Sequence, residues 1–313
     1  VFKYMRIAVA SSSLIALPTI ERLSHVHEIS QLISTPDAPT GRGQVLAPNV
    51  FSDHFKDDSR LVRPKNMQEL VDVLSQQTID LAIAIAYGKL LNVSALSAPK
   101  FGWINLHFSL LPKWRGAAPV QRAMMAGETE LGFTIFKLDE GMDTGPVYSQ
   151  GRYRLGANEN AGEVLNKLAV RGADEMPAVL SKISQGVAPI PQPRLSVEES
   201  GSGLAPKINK EEARINWRNS AQTIHNQIRA FNPNPIAWTE FRGDRLRVIS
   251  AEKSERKLEA NESGVVIFDK GEVLVAALDG FVRLKNVVPA GKKEMSAADW
   301  ARGMRITEAD RCQ

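Results

Sequence analysis

The residues with the clearest chemical potential lie in the segment Trp103–Gly116, which reads WINLHFSLLPKWRG. Asn105 and His107 are two positions apart on a predicted strand, so their side chains leave the same face of the sheet. An asparagine amide donates hydrogen bonds, and a histidine donates or accepts according to its protonation. Such a pair can stabilise an oxyanion that develops on an attacked carbonyl. The pair is also typical of a strand end where asparagine caps a turn and histidine binds the main chain.

A second segment, Leu138–Val147, reads LDEGMDTGPV and places three acids and two glycines around a turn. Asp143 lies between the glycines, where the backbone can present its carboxylate to a cleft. If Asp143 meets Asn105 and His107, the three side chains suit direct acyl transfer to an amine. The amine would attack, the Asn–His pair would hold the oxyanion, and Asp143 would help to remove the proton. An ordinary acidic hairpin turn is the alternative interpretation.

Several other chemistries lack support in the sequence. There is no G-x-S-x-G motif for an acyl-enzyme route, and the first loop, Ser11–Ser13, lacks the glycines of a dinucleotide or phosphate loop. The single cysteine, Cys312, excludes an intramolecular disulfide and a cysteine zinc cage. The five histidines are scattered, and no metal site is expected.

The chain is also not expected to meet a membrane, because no apolar run approaches the roughly 18 residues of a spanning helix. The start, Val1–Leu17, loosely imitates a signal peptide, but Ser11–Ser13 interrupts its apolar stretch. We interpret Ile7–Ala10 as a first buried strand instead. A cytoplasmic location is therefore expected, in agreement with the lack of paired cysteines.

The first half of the chain alternates strand-like and helix-like segments, which predicts an α/β fold with a Rossmann-like open sheet. The predicted strands are Arg6–Ala10, Ile29–Ser34, Asp80–Ala86, Trp103–His107 and Phe133–Leu138. The predicted helices are Ala16–Ser24, Met67–Gln77, Ala117–Ala126 and Asn160–Gln185. Pro177 is expected to end or kink part of the last helix. Asn105 and His107 would then lie at the carboxyl end of a strand, where open α/β sheets bind ligands.

The character of the chain changes near residue 185. Residues 186–206 are rich in proline, glycine and serine, as a linker is. Short alternating runs follow and predict a small β-barrel: Ile236–Arg242, Leu246–Ala251, Gly264–Phe268, Glu272–Ala277 and Phe281–Val287. The predicted organisation is a catalytic domain at 1–185, a linker at 186–206 and a C-terminal barrel domain at 207–313.

The net charge of +4 becomes informative once it is divided between these regions. Residues 207–313 hold 19 Lys and Arg against 15 Asp and Glu, whereas the preceding residues are balanced. Arg242, Arg245 and Arg247 alternate along a predicted turn and strand, and Lys285 forms another basic group with Lys292 and Lys293. We interpret them as a phosphate-contacting face on an OB-like barrel, with charge for solubility as the alternative. The proline- and glycine-rich loop around Arg42 is either an ordinary surface loop or a flap that grips RNA.

The stretch from Asn105 to Pro112, followed by Arg115–Pro119 and Asp139–Gly145, resembles the formyltransferase family that uses 10-formyltetrahydrofolate. Lys210–Trp217 and Pro289–Lys293 extend the resemblance into the C-terminal region. The resemblance implies that Asn105, His107 and Asp143 are catalytic. It further implies a folate site formed by these residues: Ser109, Leu110, Leu111 and Pro112 at its border, and Ala86, Tyr87, Gly88, Asp139 and Gly141 in its walls.

By the same resemblance, the activity expected is transfer of the formyl group from 10-formyltetrahydrofolate to the methionine α-amine of initiator methionyl-tRNA, for translation initiation. Arg42, Arg245, Arg247, Lys292 and Lys293 are then expected to bind the tRNA, and the protein is expected to be monomeric. Three alternatives remain open: an amino sugar nucleotide or glycinamide ribonucleotide as acceptor, release of formate by hydrolysis, and a non-catalytic RNA-binding relative. Ser11–Ser13 departs from the family, which has Gly-Thr-Pro there.

Overall fold

The computed structural model describes residues 4–40, 45–193, 203–256 and 263–313. These residues form two compact units. The first contains the described residues of 1–119, 130–153 and 165–206, and the second those of 120–129, 154–164 and 207–313. The predicted boundaries at 185 and 207 stay a prediction.

The first unit is built on a seven-stranded sheet. The described strands in this part of the chain, seven of which form that sheet, are β1 (Arg6–Ala10), β2 (Glu28–Ile33), β3 (Ala38–Thr40), β4 (Val45–Ala47), β5 (Leu61–Val62), β6 (Leu81–Ala84), β7 (Trp103–His107), β8 (Arg115–Gly116), β9 (Glu130–Lys137), β10 (Val147–Arg154) and β11 (Leu204–Ala205). The sheet order is β10-β9-β7-β6-β1-β2-β5. Strands β5, β2, β1, β6 and β7 run parallel, and β9 runs antiparallel to β7.

The central strands are apolar because both faces of the sheet are covered. All four residues of β6 are buried, as are Ile7–Ala10 of β1. Such near-continuous apolar runs are typical of parallel strands in α/β proteins. Trp103, at the start of β7, is fully buried, and its Nε1 donates to the carbonyl oxygen of Ala95 at 2.8 Å. The strand that carries Asn105 and His107 is therefore anchored at its amino end.

The helices of the described residues are α1 (Leu17–Ser24), α2 (Val50–His54), α3 (Met67–Gln76), α4 (Val93–Ser97), α5 (Pro119–Met125), α6 (Ala161–Ser184), α7 (Ala221–Ala230) and α8 (Ala297–Met304). Short 3₁₀ turns occur at Leu14–Ala16 and Glu211–Ala213. Pro177 does not end helix α6, contrary to one of the two outcomes expected for it, and the helix continues to Ser184. Its apolar face is buried on both sides of the proline, at Met176 and Val179, and this burial outweighs one missing main-chain hydrogen bond.

The second unit contains a curled antiparallel sheet that forms a half-barrel. Its strands are β12 (Trp238–Phe241), β13 (Asp244–Ser254), β14 (Val266–Asp269), β15 (Glu272–Ala276), β16 (Phe281–Pro289) and β17 (Met295–Ser296). The order is β12-β13-β16-β15-β14, with β17 paired to β16. The predicted fold class, an open α/β sheet followed by a small OB-like β unit, is confirmed.

Two helices of this unit, α7 and α8, were not predicted. Each begins at a serine whose Oγ accepts a main-chain N–H in the first turn: Ser220 from Thr223 at 3.1 Å, and Ser296 from Asp299 at 3.1 Å. The pattern of serine followed three residues later by a polar residue was the signal available in the sequence. On α8, Trp300 packs edge-on against Phe241 with ring centroids 4.8 Å apart. Helix α8 therefore contributes to the core of the half-barrel.

Candidate active site

A cavity of about 370 Å³ opens beside the carboxyl ends of β6 and β7 in the first unit. It is lined by residues 86–91 after β6, residues 105–108 at the end of β7 and residues 138–143 after β9, together with Ala84, Leu96, Gly116, Ala117 and Pro119. All three predicted catalytic side chains, Asn105, His107 and Asp143, are among these residues. The cavity lies where the strand order of an open α/β sheet favours ligand binding.

His107 is buried, and both of its ring nitrogens face a polar neighbour. Its Nε2 lies 3.0 Å from the carbonyl oxygen of Trp114. A carbonyl only accepts, so Nε2 carries the hydrogen in this contact. Its Nδ1 lies 3.8 Å from Oδ2 of Asp143, which is beyond direct hydrogen-bond distance. The imidazole is therefore fixed by the main chain, while Nδ1 faces the carboxylate.

Asp143 reaches His107 because its loop folds back along β7. The loop begins where the N–H of Leu138 donates to the carbonyl oxygen of Trp103 at 2.9 Å. Asp143 has a φ of +55°, in the left-handed region that side chains rarely adopt. Its Oδ2 accepts the N–H of Gly116 at 2.8 Å. The carboxylate is thus oriented by a main-chain donor rather than by a neighbouring cation.

The turn that carries Asp143 is closed by side-chain contacts and by a glycine. Oδ1 of Asp139 accepts from the N–H of Gly141 at 3.1 Å and from Oγ1 of Thr144 at 2.7 Å. A β-carbon at Gly145 would overlap the carbonyl oxygen of Lys137. Position 145 therefore requires glycine for the loop to leave β9 as it does. Asp139 and Gly141, predicted to line the folate site, do line the cavity.

The Ser109–Pro112 stretch lies behind the cavity wall. Ser109 and Leu111 are buried, and none of the four residues lines the cavity. Thr134 Oγ1 donates to the carbonyl oxygen of Ser109 at 2.6 Å and accepts the N–H of Leu111 at 3.1 Å. Gln150 Nε2 donates to the carbonyl oxygen of Leu111 at 2.8 Å. These hydrogen bonds fix the path from His107 to Trp114, and contact of the stretch with folate stays a prediction.

The loop after β6 forms another wall, and a residue of the unusual first loop supports it. Ala86, Tyr87 and Gly88 all line the cavity, with φ values of +49° at Ala86 and +72° at Gly88. Ser12 donates from Oγ to the carbonyl oxygen of Ala86 at 2.8 Å. Burial raises the pKa of Tyr87 to about 12, so its hydroxyl stays neutral at physiological pH. Sequence reasoning missed Ser12, although its place after β1 was a usable signal.

With this geometry in view, two family models match the chain. One, described as formyl transferase, covers residues 5–180, and the other, described as the formyl transferase C-terminal domain, covers residues 207–305. The chain belongs to the formyltransferase family.

Curated family members resemble this formyltransferase over nearly its whole length. A methionyl-tRNA formyltransferase of Streptomyces coelicolor is 37% identical over 98% of this chain and 99% of its own. One of Mycobacteroides abscessus is 39% identical over 96% of this chain and 98% of its own. A third, from a Mycobacterium species, is 40% identical over the same shares.

Two solved structures share the fold. HypX of Aquifex aeolicus in complex with tetrahydrofolic acid matches with a TM-score of 0.66 and 17% identity, over 96% of this chain and 47% of that one. The chain thus spans about half the length of HypX. An N-formyltransferase of Helicobacter canadensis, in complex with folinic acid and dTDP-3-aminofucose, matches with a TM-score of 0.66 and 18% identity, over 90% of this chain and 98% of that one.

The side chains that line the cavity of this formyltransferase suit a folate donor. No hydrogen bond joins the Asn105 amide to another described residue, so its donors and acceptor are free for a ligand. Leu90, Leu91 and Leu96 supply apolar surface on the cavity wall. A few placed polar groups in a largely apolar pocket are typical of sites for flat heterocyclic ligands.

Four of the five cations that the sequence predicts to bind RNA lie on the second unit of this protein: Arg245, Arg247, Lys292 and Lys293. Arg245 and Arg247 are exposed and alternate along β13 with buried Leu246 and Val248. The Arg245 guanidinium lies 3.8 Å from the centre of the Trp238 ring, a stacked arrangement. Lys292 and Lys293 are exposed in the turn after β16, and Lys292 shares with Arg245 the lining of a cavity of about 380 Å³. Arg42 lies outside the described residues.

Metal and membrane features are both missing from the described part of the chain. Within it, no three His, Cys, Asp or Glu side chains come together as a metal site would need. In the same residues, no helix combines the length and apolar character required to cross a membrane.

Proposed function

We propose that this protein transfers the formyl group of 10-formyltetrahydrofolate to the α-amino group of methionine on initiator methionyl-tRNA, for translation initiation. The observation that carries the proposal is the similarity to methionyl-tRNA formyltransferases, which spans both units of the chain. The proposal is also supported by the chemistry of the site, because Asn105, His107 and Asp143 line one cavity.

The roles of the three side chains follow from their positions. Asn105 has a free amide and donates to the formyl oxygen as negative charge develops there. His107 keeps Nε2 on the Trp114 carbonyl, and its imidazolium form carries a second N–H on Nδ1, beside Asp143, as a further donor for the formyl oxygen. Asp143 accepts the proton that the attacking amine loses, directly or through water, and returns it to the folate nitrogen as the bond from that nitrogen to the formyl carbon breaks, so that tetrahydrofolate leaves. The Gly116 N–H keeps that carboxylate aimed throughout.

This set needs no nucleophilic side chain. When bound, 10-formyltetrahydrofolate supplies a formyl group that is already activated by its aniline-like nitrogen. The acceptor is an α-amine with an ordinary pKa of about 7.7–8.0, so part of it is free base at neutral pH. The protein then accelerates the reaction by positioning the two substrates and by stabilising the developing charge.

The acceptor is held, in this proposal, by cations on the second unit. Arg245 and Lys292 flank one cavity, Arg247 lies on the same exposed face, and Lys293 adds a further charge. Such cations contact phosphates without reading sequence, and their binding weakens with salt. Arg42, which lies outside the described residues, belongs to the same proposal as a cation that binds the tRNA. The protein acts as a cytoplasmic monomer in this proposal.

The decisive experiment offers one donor and several acceptors. The protein and 10-formyltetrahydrofolate are mixed with charged initiator tRNA, charged elongator tRNA, an amino sugar nucleotide, glycinamide ribonucleotide or no acceptor, and transferred formyl and free formate are both measured. The proposal expects fastest transfer to the initiator tRNA. Preferred transfer to either small acceptor would overturn the tRNA assignment. Formate release without an acceptor as the main reaction would indicate a hydrolase.

A further inference from the structure

The segment 186–206, predicted as a plain linker, contacts the support of the active site at both of its described ends. Ile190 pairs with Val147, through reciprocal main-chain hydrogen bonds of 2.7 and 2.8 Å. At the other end, strand β11 (Leu204–Ala205) pairs in parallel with β8 (Arg115–Gly116). The N–H of Arg115 also donates to the carbonyl oxygen of Gly203 at 3.0 Å. These pairings place parts of the segment beside the loop that carries Asp143.

The closest contact is made by Gln192. Its Nε2 donates to the carbonyl oxygen of Asp143 at 2.9 Å and to that of Gly145 at 2.7 Å. Its Oε1 accepts from Nη2 of Arg115 at 2.7 Å. A guanidinium only donates, so Arg115 determines which end of the amide carries the oxygen. Both amide hydrogens of Gln192 are thereby directed at the two carbonyls.

This arrangement adds contacts from outside the loop to those that Asp139 makes within it, with Gly141 and Thr144. Asp143 holds a φ of +55°, which is unfavourable for a side-chain-bearing residue and needs support from its surroundings. Gln192 holds the main chain of the loop, while the neighbouring Gly116 N–H holds the Asp143 carboxylate at 2.8 Å. Arg115 and Gly116 therefore act on Asp143 together, one through Gln192 and one directly.

We propose that Gln192, oriented by Arg115, is a positioning residue that sets the distance between Asp143 and His107. This inference rests on the proposed formyl transfer. It assigns to the segment 186–206 a part in the site beyond joining two units. Gln192 touches no reacting atom in this scheme, because it acts through the Asp143 main chain.

The first test is substitution of Gln192 by methionine, which keeps the length of the side chain and removes its hydrogen bonds. We expect kcat to fall about tenfold, because the loop that carries Asp143 loses both hydrogen bonds from Gln192, and small displacements in an active site are costly. The KM values for the folate and for tRNA should stay within about twofold, since Gln192 does not line the cavity of the candidate active site. The kcat of Gln192→Glu should fall at least as far as that of Gln192→Met, because an ionised carboxylate cannot donate a hydrogen bond.

The matched control is Gln185→Met, because Gln185 is exposed and, among the described residues, its amide donates only to Oγ of Ser181 near the end of helix α6. This variant should keep the wild-type kcat. Thermal unfolding of each variant should begin above the assay temperature. If Gln192→Met does not fold, Gln192→Glu carries the test.

A double-mutant cycle separates positioning of Asp143 from any other role of Gln192. If Gln192 acts through Asp143, adding Gln192→Met to Asp143→Ala should change the residual rate by less than about twofold. If the two losses multiply, or if Gln192→Met alone retains full kcat, the inference is overturned. If the wild-type protein transfers no formyl group to any acceptor, the proposed function has failed instead, and the two failures are thus distinguished.

Discussion

The two units of the chain hold their functional polar groups in opposite ways. In the first unit, the candidate catalytic groups are held by main-chain atoms: His107 by the Trp114 carbonyl and Asp143 by the Gly116 N–H. In the second unit, the candidate RNA-binding cations are exposed side chains: Arg245 and Arg247 on β13, and Lys292 and Lys293 in the turn after β16. For Arg247, Lys292 and Lys293 the described residues supply no ion-pair partner.

The difference matches what each function requires. The rate of acyl transfer depends on the distances between the reacting groups, and main-chain groups anchored in a sheet hold those distances better than long side chains do. Phosphate binding depends on a positive electrostatic potential, and exposed flexible cations supply that potential without precise placement. We therefore expect the first unit to respond to single substitutions through kcat. The second should respond mainly through affinity and salt dependence.

Within the second unit, some arginines serve the fold instead. Arg242, which the sequence pattern groups with Arg245 and Arg247, donates from Nε and Nη2 to the two carboxylate oxygens of Asp310, at 2.7 Å each. Arg283 pairs with Glu252 and Glu272. Charge pattern alone did not separate these paired arginines from the unpaired ones.

The largest effect that tests this comparison is expected from Asp143→Asn. Asparagine retains the acceptor for the Gly116 N–H but cannot take a proton from the amine. The value of kcat should fall about 10²–10⁴-fold, measured as formyl transfer to saturating charged initiator tRNA. A rate within tenfold of the wild type, in folded protein, would remove Asp143 from its assigned role.

A smaller effect is expected from Gly145→Ala. The added methyl group would meet the carbonyl oxygen of Lys137, so the loop that carries Asp143 must shift. We expect kcat to fall at least about tenfold, with KM for tRNA little changed. The matched control is Gly280→Ala in the second unit, where a β-carbon meets no atom within 4 Å. Equal losses in the two variants would contradict the sensitivity assigned to the first unit.

The basic surface should give a moderate effect of a different kind. Replacement of Arg245, Arg247, Lys292 and Lys293 by glutamine should weaken tRNA binding while leaving kcat at saturating tRNA within about twofold. The slope of log affinity against log salt should become shallower by about one for each phosphate that the protein no longer neutralises. Filter binding across a salt series measures this slope. An unchanged slope would show that these four cations do not contact phosphate.

The smallest effect on activity is expected from Asp310→Asn, which tests the paired arginine. The Arg242 guanidinium lowers the pKa of Asp310 to about 2, with help from hydrogen bonds of Thr307. A lowered pKa stabilises the folded state above the ordinary pKa of about 3.9, and this stability is lost as pH falls through about 2. At pH 7 the variant should unfold at lower urea concentration than the wild type, and the difference should shrink between pH 4 and 2. A difference independent of pH would reject the ion pair as its cause.

The local elements were largely accessible from sequence pattern. The strand Trp103–His107 was predicted with the bounds that it has in the structure, and Met67–Gln76 ends one residue short of the predicted helix. The strand predicted to continue to Ala86 stops at Ala84, and Ala86 itself takes a positive φ. Helices α7 and α8 were missed because the short strands around them dominate the local pattern.

The sequence by itself determined that Asn105 and His107 share a face, because side chains alternate along a strand. It also determined the open α/β sheet, since buried parallel strands must be apolar throughout. Only the tertiary structure decided that Oδ2 of Asp143 lies 3.8 Å from Nδ1 of His107. It also decided that Gly116 and Ser12 donate hydrogen bonds to residues of the cavity, and that Gln192 holds the loop that carries Asp143. These contacts join residues far apart in the chain, and only the packing of the sheet and its loops brings such residues within hydrogen-bond range.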